Sequence, residues 1–284
     1  MIELCSIHHI RRLDQWLELI RKSHSINCFY RGQSEDWPLE SKIRRVLSRF
    51  DIENERIFDL EQRLIREFRR KYNGSDSNTV NSDISYCLAK MQHYGAPTRM
   101  LDWSYSYFVA LYFAFEFAKP NREFIIYQVN NRFIAKCYRE LQDKLDINIM
   151  SSTNQNLSEM DLIFKTIHGM NYESSEKHFH GMDMVVDENS FGFNDRHRYQ
   201  RGLFLAQTNI KISFEENIRN MSNNIEKGKS IIKYIFKLDK SEFESTASFL
   251  DMMNMNHISI YNNEESLGKT IEGRIPVLMK INLL

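Results

Sequence analysis

From Tyr105 to Ala118 the chain is apolar almost throughout, broken by Ser106 and Glu116. A run that crosses a bilayer needs ~20 apolar residues, and this one falls short. Residues 104–119 therefore read as a buried helix, closed by Pro120, which other layers of the chain must cover on every side. The remaining sequence has the means: 284 residues, 42% apolar and 12% aromatic, enough for one large core. Lys plus Arg and Asp plus Glu number 38 each, so no global charge draws the molecule to nucleic acid or a membrane. A polyanion contact would have to come from a local patch.

Cysteine usage points to a reducing compartment. Cys5, Cys28, Cys87 and Cys137 are far apart, with no Cys-x-x-Cys and no zinc-module spacing. His8, His9, Arg11, Arg12 and Asp14 interrupt any apolar signal core near the start. The expectation is a cytoplasmic protein with no membrane contact.

Periodicity predicts an amphipathic helix over 8–24, from Ile10, Leu13, Leu17 and Ile20, and a strand over 26–31 stopped by Gly32. Further helices are expected over 57–72, 82–93, 131–142, 157–168, 214–222 and 241–256. Strands are expected over 124–129, 184–186, 203–206, 231–238 and 275–281. No solenoid repeat and no Pro/Gly-rich linker divides the chain, so one α+β domain follows, a mixed central sheet surrounded by helices.

Two stretches concentrate chemistry. In Phe29-Tyr30-Arg31-Gly32-Gln33 an arginine at a strand end can project its fork of donors into a cleft, where it suits phosphate or carboxylate. A following glycine lets backbone approach a ligand. The second stretch runs from Gln92 to Ser104 and packs His93, Tyr94, Thr98, Arg99, Asp102 and Trp103 around Gly95 and Pro97. Such variety is rare in a mere connector. Asp102 and Trp103 read as structural, Arg99 as a partner for Asp102 or a functional group, and Asp102 as the cap of a helix starting near Ser104. His93 and Arg99 are the preferred functional residues. A third stretch, Arg196 to Phe204, pairs a basic cluster with Gln200 ahead of a Gly-led strand. His178 and His180 with Glu173 or Asp183 are a weak metal candidate, and no metal site is expected. Arg44, Arg45 and Arg49, with the basic face of the 57–72 helix, could meet nucleic acid.

Taken together, Tyr-Arg-Gly-Gln, then Gln-His-Tyr-Gly-Ala-Pro-Thr-Arg-Met-Leu-Asp-Trp-Ser, Ala-Leu-Tyr-Phe-Ala and Gln-Arg-Gly-Leu-Phe resemble the FRG domain. The resemblance covers about 27–275 within a single domain of 1–284. Met100 replaces a usual Leu, and 145–195 departs most. The family's motif order is similar to that of ADP-ribosyltransferases. The resemblance implies such a fold and an NAD-dependent transfer of ADP-ribose to a nucleic acid base or protein side chain, in a bacterial toxin or anti-phage effector with a neutralising antitoxin or chaperone. It implies catalytic roles for Arg31, His93 and Gln200, with NAD as co-substrate held by Tyr30, Arg31, Gly32, Gln33, Tyr94, Thr98, Arg99 and Tyr112. The alternative is a non-catalytic module that recognises a nucleotide or phosphate.

Overall fold

The computed structural model describes residues 6–22, 27–50, 52–53, 56–136, 185–188, 199–222, 231–262 and 266–275. Seven strands form one mixed sheet: β1 (Ser6–Ile10), β2 (Cys28–Gln33), β3 (Met100–Ser104), β4 (Glu123–Asn130), β5 (Val185–Glu188), β6 (Gly202–Gln207) and β7 (Ile231–Lys237). Their spatial order is β1-β7-β4-β2-β3-β6-β5, antiparallel except for β1 beside β7. The α+β expectation holds.

Both faces of the sheet are covered, which is why its central strands read as unbroken apolar runs. Along β4, Ile125, Tyr127 and Val129 face one core while Phe124 and Ile126 face the other. The first core packs α3 (Ile57–Lys71), α4 (Ser77–Ser82), α5 (Ile84–His93) and α7 (Phe214–Ser222) on the sheet. The second packs α1 (Leu13–Lys22), α6 (Tyr107–Phe115) and α8 (Lys240–Met252). Two short helices, α9 (His257–Tyr261) and α10 (Ser266–Gly273), follow. The apolar helix expected over 104–119 is α6, shortened at both ends. Among the described residues no helix is long and apolar enough to cross a membrane.

Four local expectations are corrected. Residues 8–10 are strand, because β7 offers a parallel ladder from Ser6 to Ile10 and the helix begins only at Leu13. β2 runs through Gly32 to Gln33, since β4 continues to pair with it. The 82–93 helix begins at Ile84, where Asp83 caps it by accepting from the Tyr86 amide. Met100–Ser104 is a strand, and Asp102, paired opposite Phe204, caps nothing; Ser106 caps α6 instead. The 157–168 helix and residues 276–281 of the last expected strand lie outside the described residues.

Gly32 has a packing reason. A Cβ there would lie 1.9 Å from the Ala110 carbonyl oxygen and 2.6 Å from the Ala114 nitrogen. Glycine on the strand and two alanines on the helix let α6 press against β2 closely.

Candidate functional site

β2 meets β3 through one pair, Tyr30 with Ser104, and beyond it the two strands part. Backbone groups at such a split lose their ladder partners and must find others. The Arg31 guanidinium fills this need, donating from Nη1 to the Asp102 carbonyl at 2.6 Å. The split opens into a cleft of about 500 Å³ lined by residues 30–34 of β2 and its exit, 102–104 of β3, and Arg45, Gln92, His93, Glu116 and Gln200. That volume is within the usual range for a small-molecule site. Trp37, Phe113, Phe117 and Tyr261 add aromatic surface.

α2 (Lys42–Leu47) contributes Arg45, and the end of α5 contributes His93. α5 stops where Gly95 adopts φ +75°, with Gly95 donating to the Gln92 carbonyl and Ala96 to that of Met91. Only glycine takes that conformation without strain, and the two bonds satisfy orphan helix carbonyls. Gln92 ties the motif together: its Nε2 donates to Asp102 Oδ2 at 3.1 Å, and its Oε1 accepts from Thr98 Oγ1. On the far side the Ser104 hydroxyl donates to the Gln200 carbonyl at 2.7 Å, while Gln200 Nε2 donates to the Ile260 carbonyl at 3.3 Å.

The described residues that line the cleft include two arginines, Arg31 and Arg45, and two carboxylates, Asp102 and Glu116. Burial lowers the Arg31 pKa, with Arg45 adding to that shift and the Asp102 carboxylate opposing it. Arg31 Nε, Gln33 Oε1 and Trp103 Nε1 are buried atoms of lining residues that make no hydrogen bond among the described residues. Each such group costs about 1–3 kcal/mol unless something satisfies it.

Of the residues expected in the site, Tyr30, Arg31, Gly32, Gln33, His93 and Gln200 line this cleft. Tyr94, Thr98, Arg99 and Tyr112 lie outside it. Arg99 is fully buried and gives Nε and Nη2 to the two Glu61 oxygens and Nη1 to the Gln207 and Thr208 carbonyls. Its ion pair is therefore with Glu61, where the sequence offered Asp102. Thr98 is buried behind Gln92, and Tyr94 is 62% exposed, against Tyr72 and Phe68. The Tyr112 ring is buried with Val109 and Ile260, its hydroxyl 3.1 Å from His257 Nδ1. Asp102, read as structural, does line the cleft, as do Trp37 and Glu116, which the sequence did not single out. Glu116 carried one signal: it is the acidic break in an apolar run.

Among the described residues no group of three or more His, Cys, Asp or Glu could hold a metal, and His178, His180, Glu173 and Asp183 lie outside those residues. Cys28 and Cys87 are free, and burial pushes both thiols up, so neither is poised as a nucleophile.

The FRG domain model matches residues 26–123, from the start of β2 to the start of β4. This segment is similar to the FRG domain. It holds Arg31, His93 and the β2–β3 split, while β5, β6 and β7 complete the same sheet from outside the match. No curated protein and no solved structure matches the chain.

Proposed function

We propose that the cleft binds NAD and that the protein transfers its ADP-ribosyl group to a nucleic acid base or protein side chain, as a toxin or anti-phage effector. The observation that carries this reading is convergence: Arg31, His93 and Gln200, from three distant stretches, line one cleft. In the reaction the C1′–N1 bond breaks and nicotinamide leaves with the bonding pair. A heteroatom of the acceptor bonds C1′, and its proton goes to a base. Arg31 and Arg45 supply positive charge for the pyrophosphate, with Arg31 Nε open to bond it. His93, exposed at the cleft edge, is placed for the base's role where an acceptor arrives. Trp37 and Phe113 offer faces on which a ring can stack.

A second reading, nucleotide recognition without turnover, is favoured by Gln200. Its amide is already engaged by Ile260, and glutamine cannot act as a base. Incubation with labelled NAD and mixed RNA, DNA and protein acceptors separates the two. Nicotinamide release with label on an acceptor is expected. Bound but unchanged NAD favours the second reading, and no NAD binding by calorimetry with no nicotinamide release overturns both.

A further inference from the structure

Where α6 ends, beside the cleft, four titratable side chains meet. Glu116 Oε1 lies 2.9 Å from His257 Nδ1, and Glu116 Oε2 accepts from the Tyr261 hydroxyl at 3.1 Å. The Tyr112 hydroxyl lies 3.1 Å from the same His257 nitrogen, and burial together with the Glu116 charge pushes the phenol well above its ordinary pKa. Glu116 and His257 side chains are each 11% exposed. A carboxylate has about four acceptor positions, so His257 and Tyr261 hold its orientation and leave capacity for a further partner. Glu116 and Tyr261 line the cleft.

The placement works against the helix. Glu116 is the C-cap of α6, where the macrodipole is negative and a cation would be preferred. An unfavourable charge held by two side chains from a segment about 140 residues later in sequence is the sort of local inconsistency that marks a site. Asp102, the other carboxylate among the described lining residues, is exposed and takes one side-chain donor, Gln92.

We propose that Glu116 is the cleft's hydroxyl-accepting carboxylate, recognising the vicinal diol of a ligand ribose, with His257 as its positioning residue. This rests on the reading that the cleft takes a nucleotide. Arg31 and Arg45 then meet the phosphate while Glu116 accepts from the sugar, and Phe113 and Phe117, flanking it on and just past α6, cover the sugar face.

The test is calorimetric binding of adenosine and nicotinamide mononucleotides and of their 2′,3′-dideoxy analogues to the full chain. Wild type should prefer the ribose forms by about 10-fold or more, the strength of hydrogen bonds to a charged acceptor. Glu116→Ala should abolish that preference with the dideoxy affinity unchanged. His257→Gln should reduce it, an effect that a purely structural role would not produce. Thermal melts check folding, and Glu116→Gln, nearly isosteric, replaces Glu116→Ala if the latter unfolds; a neutral amide should weaken the preference. A wild type that binds both forms equally overturns the inference, even if NAD is turned over. A Glu116-dependent ribose preference without NAD turnover supports the inference and removes the transferase reading. Failure of every nucleotide to bind overturns both.

Discussion

Arg31 and Arg99 stand on or beside neighbouring strands yet live in opposite states. Arg31 looks into the β2–β3 split, with one bond to the Asp102 carbonyl and a buried Nε that is unmatched among the described residues. Arg99 is sealed beneath the sheet, its fork spent on Glu61 and two carbonyls. One region keeps hydrogen-bonding capacity in reserve and the other uses it up. Reserve capacity is what a ligand can use; a saturated pair can only hold the fold together.

The largest effect expected is in the sealed region. Arg99→Met or Glu61→Leu alone should cost about 3–5 kcal/mol, because each strands a buried charge. The double replacement should recover much of that loss, and denaturant unfolding of the three variants measures it. Single changes no worse than those at Arg31 would erase the contrast. Next comes Gly32→Ala, which drives a methyl into the α6 backbone and should cost about 1–3 kcal/mol. Its melting temperature should fall even though Gly32 lines the cleft.

Arg31→Met gives up the bond to the Asp102 carbonyl and should cost about 1 kcal/mol. Affinity for a phosphate-bearing nucleotide should nevertheless fall about 10-fold or more, and Arg31→Lys should not restore it, lacking the planar fork. A melt and a titration on one preparation decide this.

The smallest effect lies away from both arginines. Lys90, Tyr72 and Tyr86 bond Asp76 and hold its carboxyl below the usual range. A depressed folded-state pKa gives stability that is present above the unfolded value, about 3.9, and is lost as pH falls below it. The stability gap between wild type and Asp76→Asn should thus be flat from pH 6 to 8 and close below about pH 4. A gap as wide at pH 2 as at pH 7 would contradict that assignment.

Sequence pattern located most elements because period and composition carry that information: 214–222 matches α7, and β4, β6 and β7 fall where apolar runs stand. It also marked Arg31, His93 and Gln200, which do share a cleft. It misassigned what depends on partners far along the chain. Ser6–Ile10 becomes strand only because β7 arrives to pair with it. Arg99 is buried because Glu61, 38 residues earlier, faces inward from α3. Gly32 resembles a ligand-approach glycine until Ala110 and Ala114 are seen against it. Glu116 needs His257 and Tyr261 to acquire meaning.

The parallel pairing of Ser6 with Ile232 also sets a timetable for synthesis. At ~5–20 residues per second, the ribosome takes roughly 10–45 s to make the strand that the N-terminal segment must join. Until then β4 can pair with β2 but presents its other edge, and the apolar face of α1 waits without half of its sheet. The nascent chain carries that open edge for roughly the 100 residues made between β4 and β7, the period in which edge-to-edge association threatens it most.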